Sequence, residues 1–123
     1  MTYIKEYWNN KEKRAEMARK HTKEMQEKYS RSIQTSISGT KIYNVDSFDS
    51  DFEENIEDVD TEVIIEDIDS VGAIMKYGNP STAVLNFSSY KNPGGMFING
   101  SKAQEECLCH ESFLVQCFKR FED

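Results

Sequence analysis

The chain has 123 residues and a net charge of −7, from 15 Lys and Arg against 22 Asp and Glu, a length that one small domain fills and two independent cores do not. Leu, Ile, Val and Phe together supply 26 residues, about a fifth of the chain, so the core is thin and the composition sits near the border with disordered chains. No apolar run reaches the ~18–20 residues that span a bilayer, the first residues lack the apolar centre of a secretory signal, and Cys107, Cys109 and Cys117 are an odd set gathered at one end, which excludes a disulfide framework and leads to the expectation of a cytoplasmic protein.

Residues 1–31 carry nine basic and five acidic side chains, a local charge of +4 against −11 over the remainder. From Asn10 to Tyr29 there is neither Gly nor Pro, and Ala, Glu, Lys, Arg and Met dominate, which predicts one long helix. Its apolar stripe, Ala15, Ala18, Thr22, Met25 and Tyr29 with Met17 and His21 alongside, is narrow, as expected of a helix on the rim of a core. Glu16/Lys20 and Glu24/Lys28 stand in the favourable Glu-before-Lys order and account for the basic face as solvated helix surface. That reading and the negative net charge count against nucleic acid as a partner.

Residues 32–38 and 40–45, around Gly39, and residues 61–68, with Val63, Ile64, Ile65 and Ile68, have the β-branched density of strands. Between them residues 46–60 hold eight acidic groups and no Gly or Pro, an acidic linker whose spacing fits no calcium loop. Residues 69–77 predict a short helix, Gly78-Asn79-Pro80 a turn, and residues 82–88 a buried strand of continuous apolar character. The order of helix, strands, helix, strand, loop and helix fits an α/β layer architecture.

The last strand runs into Asn92-Pro93-Gly94-Gly95-Met96 and then, after Phe97 to Ala103, into Gln104-Glu105-Glu106. Strand, glycine loop and helix start are the parts of an anion site, because free backbone N–H groups and the helix dipole both favour phosphate. Pro-Gly-Gly by itself marks an ordinary turn. Glu105 and Glu106 by themselves read as first-turn residues stabilised by the dipole at ~0.3–1 kcal/mol. The same dipole favours the ionised form, so a general-acid Glu here requires an opposing influence such as desolvation or a nearby diphosphate. Cys107, Cys109 and His110 lack the paired spacing of a zinc site and read as buried or free thiols beside a histidine, so no metal is implied. Phe113, Leu114, Val115, Phe118 and Phe121 have helical spacing and read as core or interface.

On these residues the chain resembles the microbial-type poly(ADP-ribose) glycohydrolases, whose pattern is a glycine run, a short spacer and Gln-Glu-Glu. Met96 takes the third place of the run, and the seven-residue spacer from Phe97 to Ala103 fits. The helix with Arg14, Ala18 and Thr22 is similar to the region preceding the macrodomain in that family. The resemblance implies an α/β fold, a partial macrodomain-like α/β/α sandwich with an N-terminal helical extension. Residues 1–31 would be the basic helical region and residues 32–123 an incomplete catalytic domain, truncated before the further strands and second glycine-rich loop of the family.

The implied activity is hydrolysis of the ribose–ribose O-glycosidic bond of poly(ADP-ribose), with ADP-ribose or its polymer as ligand and no cofactor. Glu106 would protonate the leaving ribose hydroxyl and then activate water, a one-carboxylate variant of the usual glycosidase pair. Glu105 would hold ribose hydroxyls and Gln104 would set the loop. Gly94 and Gly95 would approach the diphosphate, with Ser89 as a ribose contact and Asn92 as a further substrate-binding residue. The alternative is a non-catalytic chain that binds ADP-ribose or completes another polypeptide's sheet, as a homo-oligomer or with a complementing chain.

Overall fold

The computed structural model describes residues 8–47 and 59–118. Most of the expected acidic linker and Phe121 lie outside the described residues. The elements are α1 (Lys11–Lys28), α2 (Ser30–Gly39), a 3₁₀ turn at Val45–Ser47, α3 (Ser70–Tyr77), a 3₁₀ turn at Phe97–Asn99, α4 (Gln104–His110) and α5 (Leu114–Phe118).

The long helix forms where expected, and its start has a local cause: the Asn10 side chain accepts from the Lys13 N–H at 3.0 Å, satisfying one donor that the first turn leaves unpaired. Ala15 and Ala18 are buried on one face together with Arg14, and their small side chains let the Phe97–Asn99 turn come close. Ala18, Phe97 and Cys109 form the core cluster, with Leu114 and Val115 packed against it. The core is therefore the junction of α1, the loop before α4, and α4 with α5. Two side chains tie α1 to the segment beyond α4: His21 Nε2 lies 2.7 Å from the Ser112 carbonyl, and Gln116 Nε2 donates to the Thr22 carbonyl at 3.0 Å. On the exposed face Lys20 pairs with Glu24 at 3.9 Å, and among the described residues this stands in place of the expected Glu16–Lys20 and Glu24–Lys28 pairs.

Residues 32–38, expected as a strand, are helical. Ile33 and Ile37 stand one turn apart and Ile33 is almost fully buried. The Thr hydroxyls that suggested β structure bond back along the helix, Thr35 to the Arg31 carbonyl at 3.0 Å and Thr40 to the Ser36 carbonyl at 2.7 Å, a local satisfaction that helices allow. Residues 40–45 lead without a ladder into the Val45–Ser47 turn.

Residues 61–68 and 82–88, also expected as strands, make neither helix nor ladder. They are mostly exposed, Ile65 at 91% and Leu85 at 74%, so the expected burial of the second is corrected as well. Val and Ile density specifies a strand only through a paired neighbour, and among the described residues there is none. The backbone of 85–89 instead spends its hydrogen bonds on α4 side chains: the Leu85 carbonyl and the Phe87 N–H on Gln104, and the Ser89 N–H on Glu105. The described residues thus form helices and loops, not the sheet layer of the expected sandwich.

Helix α3 matches its expectation, with the Asp69 carboxylate accepting from the Gly72 N–H at 2.7 Å as its cap. The turn after it closes through the Thr82 N–H on the Asn79 carbonyl at 3.0 Å. Between α3, residues 84–86, α4 and α5 lies an open cleft of about 740 Å³ walled by Val71, Ile74, Met75, Val84, Leu108 and Leu114. Among the described residues, no helix is long and apolar enough to cross a membrane.

His110, at the end of α4, is buried edge-on against Phe97 and Trp8, with ring centroids 4.7 and 5.2 Å away. Burial pushes its imidazole down to about 4, a hydrogen bond to the Ser101 backbone opposes this, and the nearby His21 and Arg14 charges add to it. A histidine depressed in the folded state takes up its proton more readily when unfolded, so acid favours unfolding. Stability should be flat with respect to this group above about pH 6.5 and fall between there and about pH 4, by about 3 kcal/mol in all. Urea titrations across that range should show the slope in the natural protein and lose it in His110→Leu.

Candidate active site

The loop that leads into α4 turns at its two glycines. Gly94 is buried with φ +82° and packs toward Val115, and Gly95 has φ +62°. The Gly95 N–H donates to the Asn92 carbonyl at 2.7 Å, closing the turn, and the Met96 N–H donates to Glu106 Oε1 at 3.1 Å. A Cβ on Gly95 would stand 2.5 Å from that same Oε1. The close approach that glycine permits here is thus to the Glu106 carboxylate, and the Gly95 and Met96 amides are committed within the protein. Met96, in place of a third glycine, has an ordinary φ of −103°.

The first turn of α4 supplies three side chains, each with a distinct set of partners. Gln104 clamps the preceding segment: its Oε1 accepts from the Phe87 N–H at 2.8 Å, and its Nε2 donates to the Leu85 carbonyl at 2.8 Å and to Ser70 Oγ at 3.1 Å. Glu105, 2% exposed, uses both oxygens, Oε1 accepting from the Ser89 N–H and Oε2 from Asn86 Nδ2, each at 2.9 Å. Glu106, 7% exposed, accepts from Met96 on Oε1, while its Oε2 has no hydrogen-bond partner among the described residues. Neither carboxylate caps its own helix, since both face donors outside it.

The expected site residues separate in space. Gly95, Gln104, Glu105, Glu106 and the backbone of Ser89 come together. The Ser89 hydroxyl turns to its own loop, accepting from the Asn92 N–H at 3.1 Å and the Lys91 N–H at 3.3 Å. Asn92 is exposed, with its amide 3.8 Å from Met96 Sδ, and Gly94 lies under the loop. Asn86 joins the site unforeseen. The signal for it was a lone amide within Ala-Val-Leu-Asn-Phe, an apolar run with no other polar residue.

Cys109, buried against the core, is pushed up to about 12, first by burial and then by the Glu105 and Glu106 charges, so it stays a thiol and supplies no nucleophile. Burial also raises Cys107 and Cys117. Among the described residues no group of three or more His, Cys, Asp or Glu is arranged to hold a metal ion.

Two carboxylates on successive residues are thus buried beneath a glycine turn and held by donors from the segments before α4. Residues 6–123 match the family model described as microbial-type PARG, catalytic domain; the chain belongs to this family of poly(ADP-ribose) glycohydrolases. No curated protein and no solved structure matches it.

Gly95→Ala combines a left-handed backbone with a Cβ directed into Glu106 and should destabilise the protein by about 1–3 kcal/mol. Gly39→Ala, where a Cβ meets nothing within 4 Å, should shift stability by less than about 0.5 kcal/mol. Paired urea titrations of the two variants measure the difference.

Proposed function

We propose that the protein hydrolyses the ribose–ribose O-glycosidic bond of poly(ADP-ribose), on the macrodomain-like α/β/α scaffold that its family implies, with Glu106 as general acid and base. The observation that carries this reading is the division of labour within the carboxylate pair. Both oxygens of Glu105 are held by protein donors, whereas Glu106 keeps one oxygen uncommitted beside the glycine turn.

In the first step Glu106 gives its proton to the leaving ribose oxygen as the anomeric C–O bond breaks and positive charge develops on the sugar. In the second, the Glu106 carboxylate takes a proton from the water that attacks the anomeric carbon. The substrate diphosphate, an anion beside the site, favours the protonated carboxyl that the first step needs. Each Glu105 oxygen retains a lone pair for a ribose hydroxyl, and Gln104 holds the loop. With labelled poly(ADP-ribose), the natural protein should release ADP-ribose. Glu106→Gln, which preserves shape and the acceptor for the Met96 N–H, should lower the rate by roughly 10²–10⁴-fold. Release that is absent, or indifferent to Glu106→Gln, overturns the proposal.

A second reading is favoured by the exposed apolar residues of the unpaired segments, among them Val63, Ile65, Leu85 and Phe87. In it the chain binds ADP-ribose without turnover and a further polypeptide, a second copy or a complementing chain, covers these segments. Calorimetry with ADP-ribose and sedimentation of the purified protein should then show affinity without hydrolysis, and a dimer. A monomer with no affinity removes this reading.

A further inference from the structure

Arg14 is buried, 7% exposed, at the start of α1 and outside the carboxylate site. Its Nε donates to the Gly100 carbonyl at 2.7 Å, its Nη1 donates to the Trp8 carbonyl, and the guanidinium lies 5.9 Å from the centre of the Trp8 ring. A buried guanidinium that directs its donors at main-chain carbonyls fixes backbone positions. Gly100 shows how tight the seat is. With φ +85°, its Cβ position falls 2.2 Å from the Lys11 carbonyl oxygen and 3.0 Å from the Ala15 nitrogen, so the loop rests backbone to backbone on α1.

From this seat a short chain of hydrogen bonds leads to the carboxylate. The peptide unit whose carbonyl binds Arg14 presents its other end, the Ser101 N–H, to the Met96 carbonyl at 3.1 Å. The Met96 N–H is in turn the donor to Glu106 Oε1 at 3.1 Å. Among the described residues this is the one hydrogen bond that orients Glu106. We infer that Arg14 is a positioning residue for Glu106, acting through the Gly100–Ser101 peptide and the Met96 amide. The inference deepens the glycohydrolase reading and rests on it for its catalytic consequence, while the structural linkage can be read without activity.

The test compares the full chain with Arg14→Met, which keeps an apolar stem and removes the donors, and Arg14→Lys, which keeps the charge without the planar fork. Amide hydrogen exchange is followed at Met96 and Ser101, with α1 amides from Arg19 to Lys28 as the internal reference, and kcat and KM are measured on poly(ADP-ribose). Exchange at Met96 and Ser101 should accelerate at least roughly tenfold in Arg14→Met while the α1 reference stays protected. A misplaced acid/base group should lower kcat by up to about 10²-fold with KM nearly unchanged. Guanidinium ion added to the buffer should restore part of both losses, and Arg14→Lys should fall between.

Unchanged Met96 exchange in a folded variant overturns the inference. So does acceleration spread evenly over α1 with kcat per folded molecule intact, the pattern of a residue that only stabilises. If Arg14→Met does not fold, the same exchange pattern in Arg14→Lys decides. If the natural protein releases no ADP-ribose, the glycohydrolase reading fails, and the exchange measurement still decides whether Arg14 holds the Met96 amide.

Discussion

Burying two carboxylates on consecutive residues is the constraint around which the described structure is arranged. A charged or polar group withdrawn from water costs several kcal/mol unless donors replace the lost hydration. Glu105 obtains its donors from Asn86 and Ser89, so residues 86–89 must lie along α4. Glu106 obtains its donor from Met96, so the chain must bend back over the helix, and at Gly95 it bends more closely than a side chain tolerates. Burial first, and the same two charges after it, keep the neighbouring Cys109 in its protonated form. Loop path, glycine placement and thiol chemistry follow from one packing decision.

The composition predicted a thin core, and the buried set bears this out. The buried apolar residues among those described are Ala15, Ala18, Ile33, Phe97, Leu108 and Cys109, and beside them stand the polar or charged Arg14, Glu105, Glu106, His110 and Gln116. With so little hydrophobic area, the fold depends heavily on satisfied polar contacts, whose removal leaves a partner stranded and costs more than the contact was worth. Several of these contacts bridge distant parts of the chain, Arg14 to Gly100 and Gln116 to Thr22 among them. They give α1 the role of a platform on which the loop and α4 are assembled.

Where elements begin was legible wherever a local rule settles it. Asn10 and Asp69 are side-chain caps, and the absence of Gly and Pro across α1 left one choice. The glycine turn and the carboxylates at the start of α4 were equally readable, because φ preference and the Gln-Glu-Glu pattern are local properties. Residues 32–38 were misread because Ser, Thr and Ile favour strands only on average, and here Ile33 finds burial while the Thr hydroxyls bond back to the helix. Residues 61–68 and 82–88 were misread for a different reason: a strand exists through its neighbour, and no pattern within the segment supplies one. Asn86 and Arg14 escaped as site-shaping residues because each meets its target across a large gap in sequence, 19 residues to Glu105 and 86 to Gly100.

Gln104 has a consequence for how this surface can grow. Its side-chain amide accepts from the N–H of residue 87 and donates to the carbonyl of residue 85, the pattern by which a peptide in a parallel strand bridges the residues on either side of its partner. A single glutamine, with Glu105 continuing along the Ser89 N–H, therefore imitates an adjoining strand and closes one edge of the segment. In a pleated chain the main-chain groups of residues 84, 86 and 88 turn the opposite way. Sheet extension from this segment has a permitted side and a forbidden side, and it is the carboxylate helix itself that enforces the choice.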